Sequence, residues 1–247
     1  AVTLRAQGDA RAACVLHEQA LEGYRRVLGN EHPDTLRSMN RLAIALFALG
    51  DLRAARTYQE LALDGRRRVL GDEHRSTLSS MSTLALTLRG LGELRAAAEM
   101  QEHALEVRRR ILGDEHPHTL MLTHDLAETL RGLRHVTRAR DLHNRVLTVR
   151  RRVLGAEHPD TLESMDHLAR ALCVLEDFAG ARVLLKQVLL ARERVLGSEH
   201  PETLATMDAL VDTLCRLGEH DSATVLLERV LIARRRSAST SEHVMLR

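Results

Sequence analysis

The sequence predicts an all-α solenoid of antiparallel helix pairs, about five and a half repeats long, from three observations. First, a Gly-x-Glu-His signature recurs at one spacing. Gly29, Gly71, Gly113, Gly155 and Gly197 stand 42 residues apart, each followed by Glu and His, from Glu31 and His32 to Glu199 and His200. Second, two helical periods of apolar residues fit between successive signatures. Third, Leu, Ala and Arg dominate the 247 residues while two Phe, two Tyr and no Trp occur, so strand formers are scarce.

The elements follow in order. Gly8 is the register equivalent of Gly50, so Ala1 to Gln7 reads as the back half of a first helix, and residues 1–28 as the second helix of a truncated repeat. A chain starting there without an initiator Met is expected to continue from a longer polypeptide. Repeat 29–70 opens with Pro33 at a first helical position and Asp34 in the first turn, near the positive end of the helix dipole. Helix A runs from Thr35 to Leu49, with Leu36, Met39, Leu42, Ala43, Leu46 and Leu49 on one stripe, and Gly50 ends it. Helix B runs from Asp51 to Leu70 with Leu52, Ala55, Leu63, Val69 and Leu70 as its apolar pattern. Gly71 stops it after a last turn rich in arginine.

Repeats 71–112, 113–154, 155–196 and 197–238 follow the same plan. Arg75 replaces the linker proline, and Arg134 and Glu176 replace the turn glycine, which predicts two loosened turns. The last helix B is expected to end near Arg236, where Ser237 to Ser241 break the repeat register. Residues 239–247 are a decayed tail, with Glu242 and His243 echoing the linker. No polar capping helix closes this end, which favours further repeats or self-association.

Alignment of the units at 42 residues separates fixed columns from variable ones. Leu36, Leu78, Leu120, Leu162 and Leu204 form one core column, and Leu46, Leu88, Leu130, Leu172 and Leu214 another. The column Ala13, Ala55, Ala97, Ala139, Ala181 and Ala223 never varies, as expected where two helices cross closely. Cys14, Cys173 and Cys215 are too few and too irregular for a disulfide scaffold and favour a reducing, cytoplasmic setting. No apolar run approaches the ~20 residues of a membrane span, and no signal peptide opens the chain. Lys186 is the sole lysine among 36 basic residues, a bias that reads as a GC-rich coding genome of actinobacterial type.

The unit carries a family resemblance. Helix A reads Asn-x-Leu-Ala (Asn40, Leu42, Ala43), followed by Gly50, Ala55 and Ala62, and this resembles a tetratricopeptide repeat. The 42-residue length and the Leu-Gly-x-Glu-His-Pro-Asp-Thr-Leu linker, Leu28 to Leu36, are similar to the kinesin-light-chain subclass. The resemblance implies a right-handed superhelix and a role in binding proteins or peptides, often as the sensor or scaffold part of a larger regulatory protein. It implies no enzymatic activity and no cofactor.

Several constellations invite chemistry. The five linker histidines are too far apart to share an ion, so a capping or packing role is expected. His116, His118 and His124 cluster without a cysteine and read as a surface group rather than a metal site. Neither a nucleophile turn nor a phosphate loop occurs. Cys173 and Cys215 share one helix A position and read as inert thiols. The runs Arg66 to Arg68, Arg108 to Arg110, Arg150 to Arg152 and Arg234 to Arg236 recur in phase, and the column Arg26, Arg68, Arg110, Arg152, Arg194 and Arg236 never varies. With a net charge of +2 and no stacking aromatics, an Arg and Glu lattice between helix B ends and linkers is preferred over a nucleic-acid ridge.

The variable stripe of helix A is the candidate partner site. It comprises Arg37, Asn40, Ile44 and Phe47, then Ser79, Ser82, Leu86 and Arg89, then Met121, His124, Glu128 and Arg131, then Glu163, Asp166, Arg170 and Cys173, then Ala205, Asp208, Asp212 and Cys215. By the resemblance this stripe lines a concave groove, and its charge drifts from basic and apolar to acidic. An extended peptide is expected there, acidic near Arg37, Arg89 and Arg131 and basic near Asp166, Asp208 and Asp212. The alternative function is a structural solenoid that dimerises through exposed ends; neither nucleic acid nor membrane is expected as a partner. The alanine column yields one test: Ala97→Leu should overpack the helix crossing and lower stability by ~1 to 3 kcal/mol in urea unfolding.

Overall fold

The computed structural model describes residues 2–245, with side chains described for residues 11–236. All regular structure among the described residues is α-helical. The chain divides into two compact units, Ala1–Leu133 and Arg134–Arg247. Unit 1 holds α1 (Val2–Leu28), α2 (Pro33–Ala48), α3 (Leu52–Leu70), α4 (Arg75–Gly90), α5 (Leu94–Leu112) and α6 (Pro117–Gly132). Unit 2 holds α7 (Val136–Leu154), α8 (Pro159–Val174), α9 (Phe178–Leu196), α10 (Pro201–Arg216) and α11 (His220–Met245). Within each unit every helix packs against the next in sequence.

Two ends depart from expectation. α1 continues through Gly8 without a break, so residues 2–7 are not a separate helix, and α11 continues through Ser237 to Ser241. A helix tolerates a lone glycine or a serine run at a cost of tenths to ~1 kcal/mol, which adjoining turns absorb. Ala1, the final two residues of the expected tail, and the side chains before residue 11 and after residue 236 lie outside the described residues.

The linker explains the invariant glycine and histidine. Gly71 adopts φ 84° and ψ 167°, and Gly113, Gly155 and Gly197 lie close to the same values. Only glycine occupies this region without strain. Three residues on, each histidine caps the following helix: the amides of Asp34, Ser76, His118, Asp160 and Glu202 donate to Nδ1 of His32, His74, His116, His158 and His200 at 3.1–3.3 Å. The same cap forms at His74 although Arg75 follows it in place of proline.

The turn between paired helices keeps its geometry where glycine is lost. Arg134 and Glu176 take φ of 65° and 62°, beside 85°, 82° and 76° at Gly50, Gly92 and Gly218. The amide of Asp177 donates to Leu172 O at 2.9 Å, as Asp51 does to Leu46 O at 3.0 Å. At Glu176 the expected loosening therefore does not occur; the hydrogen bond holds the turn and the side chain carries the strain.

Packing follows the columns. Leu36, Leu78, Leu120, Leu162 and Leu204 are buried, as are Ala55, Ala97, Ala139, Ala181 and Ala223. Val69, expected in the apolar pattern of helix B, is instead exposed, as are Val27, Ile111, Val153 and Val195 at the same place. Ala62 and Leu63 cover the core there.

The invariant arginine column does join helix B to a linker, but to the earlier one. Arg68 donates to Glu31 at 2.9 Å, Arg110 pairs with Glu73, Arg194 with Glu157, and Arg236 with Glu199 at 3.6 Å. Each bond thus closes one repeat on itself, from the end of its helix B back to the linker that opens it. Exposed pairs of this kind contribute ~0.2 to 1 kcal/mol each and weaken with salt.

Backbone conformation gives a paired prediction. Glu176→Gly should stabilise the chain by about 1 kcal/mol by releasing left-handed strain. Gly71→Ala, where an added Cβ meets no atom within 4 Å, should destabilise it by ~1 to 3 kcal/mol through the backbone alone. Urea midpoints of both variants against the parent check the signs.

Candidate partner-binding face

In unit 1 the variable stripe lies on α2, α4 and α6, with α4 in contact with both others. Ile44, Phe47 and Met121 are exposed, and Leu86 and Arg89 are half-buried. Asn40 is half-buried, with its Oδ1 3.5 Å from Thr83 Oγ1. Ser79 is exposed. His124 is half-buried, and the His116 and His118 rings stack with centroids 5.3 Å apart while His116 Nδ1 serves the helix cap.

Two expected cations already have internal partners. Arg37 pairs with Asp34 at 2.7 Å and Arg131 with Glu128 at 2.8 Å, both one turn apart on one helix. The side-chain hydrogen bond to Glu128 is the main cause of the raised Arg131 pKa. Ser82 is buried, its hydroxyl donating to Leu78 O at 3.0 Å.

In unit 2 the stripe lies on α8 and α10. Glu163, Arg170, Ala205, Asp212 and Cys215 are exposed, and Cys173 Sγ sits 3.6 Å from Thr213 Oγ1. Asp166 is buried against Arg192 at 2.5 Å, and Asp208 meets Arg234 at the same distance. The expected acidic end of the stripe is therefore largely closed from within; Asp212 remains open. Burial lifts the Asp166 carboxyl above its ordinary value, against the opposing pull of Arg192.

The partner arginines belong to a column that the sequence reading treated as surface charge. Arg66, Arg108, Arg150 and Arg192 share this column and are each at most 9% exposed, whereas Arg234 is exposed. The signal was present: Arg66 follows buried Ala62 by four residues and so shares its face. Each guanidinium ties helix B to the next helix A. Arg66 donates to Ser76 O at 3.0 Å and Ser80 Oγ at 2.6 Å, Arg108 to His118 O at 3.2 Å, Arg150 to Asp160 O at 2.8 Å, and Arg192 to Thr206 Oγ1 at 2.6 Å.

The two units differ in what faces this column. The helix A residue opposite it is Asn40 for Arg66 and Ser82 for Arg108, but Asp166 for Arg192 and Asp208 for Arg234. Unit 2 thus supplies a carboxylate of its own. Unit 1 supplies a neutral residue, and burial pushes the pKa of Arg66 and Arg108 down, offset at Arg108 by Asp125.

Comparison with known proteins decides the family. Two family profiles, both described as tetratricopeptide repeat, match residues 1–68, 39–110 and 77–135 and residues 119–160, 161–202 and 203–243. The chain belongs to the tetratricopeptide repeat family. Among solved structures it is similar to a Podosopora anserina putative kinesin light chain of nearly identical TPR-like repeats, at 31% identity and TM-score 0.76, over 84% of this chain and 98% of that one. BtubC (BKLC) from P. vanneervenii matches in fold at 18% identity and TM-score 0.74, over 96% and 93% of the two chains. MamA from Desulfovibrio magneticus RS-1 matches at 12% and 0.61, over 81% and 96%. A comparison with curated proteins finds no match. The chain is thus a kinesin-light-chain-like tetratricopeptide protein, and repeats of this family generally mediate protein interaction or scaffolding. No helix among the described residues is long and apolar enough to cross a membrane.

The Asp166 and Arg192 pair yields a stability test. Asp166→Ala should destabilise the protein by about 3 kcal/mol, because it removes the buried countercharge of Arg192 and leaves only the exposed Glu202 carboxylate at 3.4 Å. Arg170→Ala on the exposed face should change stability by less than about 0.5 kcal/mol. Thermal unfolding of the two variants measures the contrast.

Proposed function

We propose that this tetratricopeptide chain is a non-enzymatic interaction module that captures an extended acidic segment of a partner protein on the α2, α4 and α6 face. The observation that carries this reading is the arginine column, met by Asp166 at buried Arg192 and by Asp208 at exposed Arg234 in unit 2, and faced by Asn40 and Ser82 at buried Arg66 and Arg108 in unit 1. Carboxylates of a bound segment would take, at Arg66 and Arg108, the place that Asp166 takes at Arg192. A charge-assisted hydrogen bond at a desolvated guanidinium is stronger than one at an exposed arginine, which favours this location over Arg37 or Arg131. Ile44, Phe47, Leu86 and Met121 offer apolar contact beside it, and Arg89 adds a cation with no internal pair among the described residues.

The test fills the place from within. Asn40→Asp with Ser82→Asp gives Arg66 and Arg108 the internal carboxylates that unit 2 already has. Acidic peptides selected from a displayed random library on the parent chain should bind the double variant at least tenfold more weakly, about 1.4 kcal/mol, with unfolding stability retained. Undiminished binding would place the partner elsewhere, and selection of basic peptides by the parent chain would reverse the assignment.

A further inference from the structure

The outward stripe of helix B changes chemistry in the last two helix pairs of unit 2. At one position the successive second helices carry Thr57, Glu99 and Asp141, then Val183 and Val225. Seven residues later they carry Asp64, Glu106 and Thr148, then Leu190 and Ile232. Residues seven apart share a helix face. The four apolar side chains are exposed, at 52% for Val183, 69% for Leu190, 61% for Val225 and 50% for Ile232.

α9 and α11 run side by side in the same direction. Arg182 pairs with Glu219 near both N-terminal ends, and Arg229 pairs with Glu193 further along. The apolar residues therefore form one patch two helices wide. Seven residues span ~10 Å of each helix and the two packed helices ~20 Å, so the patch is an apolar anchor of roughly 200 Å² per protomer at the centre of a wider helix face.

Charge selects the occupant and its orientation. Lys186 on α9 and Glu228 on α11 are exposed, occupy equivalent positions 42 residues apart, and make no ion pair among the described residues. A two-fold axis parallel to the helices, running between α9 and α11, seats α9 of each copy on α11 of the other. Val183 and Leu190 then lie level with Val225 and Ile232 of the second copy, and Lys186 with Glu228. An axis perpendicular to the helices would oppose Lys186 to Lys186 and Glu228 to Glu228. We propose that the chain forms a two-fold homodimer through the outer face of α9 and α11. This surface is separate from the α2, α4 and α6 face, so either proposal stands or falls without the other.

Light scattering and sedimentation of the full chain up to about 0.2 mM test it. The parent should pass from monomer to twice the monomer mass with rising concentration. Val183→Glu with Leu190→Glu, which installs the residues of Glu99 and Glu106, should raise the dimer dissociation constant at least tenfold while circular dichroism shows the helix content kept. Lys186→Glu alone should weaken the dimer, and Lys186→Glu with Glu228→Lys should restore it; both positions are exposed, so this swap reads association even if the apolar variant loses helix. A parent that stays monomeric throughout, a dimer undiminished by the apolar substitutions, or a swap that fails to restore association would overturn the proposal.

Discussion

At Gly71 the backbone takes φ 84° and ψ 167°, and at Gly113, Gly155 and Gly197 it repeats that turn within a few degrees. A residue with a Cβ enters this region only under strain, so the linker has one cheap sequence and one direction. The histidine three residues on then fixes where the next helix starts, by accepting an amide hydrogen bond that the helix would otherwise leave unmade. Joint and cap together set the register at which neighbouring helices meet. The burial of Leu36 and its equivalents, and of the alanine column, depends on that register being the same each time.

Arginine performs two different tasks on one helix end. The third residue of each run is exposed and reaches back to the glutamate of the preceding linker, a weak, salt-sensitive tie repeated along each unit. The first residue of the runs at Arg66, Arg108 and Arg150 is buried and reaches forward to the start of the next helix A. A guanidinium suits the buried place because its five donors satisfy a carbonyl, a hydroxyl and a carboxylate at once, which lysine could not do. Forward and backward ties from residues two apart thus bracket α3, α5 and α9.

Much of this was legible in the sequence, for a physical reason. The helix pairs, core leucines, alanine crossings and linker joint all repeat, and repetition turns one chain into several aligned observations. What escaped was of two kinds. Arg66 looked like one of three equivalent surface charges because a run of identical residues hides the turn of the helix; only its distance from Ala62 marks it as inward. Asp166 and Asp208 looked like the acidic end of a binding stripe because helix A was read without helix B, and their partners lie 26 residues away. Glu176 erred in the opposite direction, since a missing glycine suggested a loose turn that the Asp177 hydrogen bond in fact preserves.

The contrast between the units also bears on how a repeat protein acquires a site. A buried guanidinium must be compensated, and the chain can do this from its own helix A or leave the place to something that binds. Where Asp166 does so, the column is structural and the face beside it is chemically quiet. Where Asn40 and Ser82 stand instead, the scaffold keeps the same arginine geometry, fixed by Ser76, Ser80 and His118, yet leaves the charge of Arg66 without an anion of its own. On the proposed reading, the residue at this one helix A position separates a structural place from a receptive one, and losing the carboxylate there carries the stability cost expected for Asp166→Ala. Variation confined to that column can move a binding site from repeat to repeat while the joints, caps and core remain unchanged.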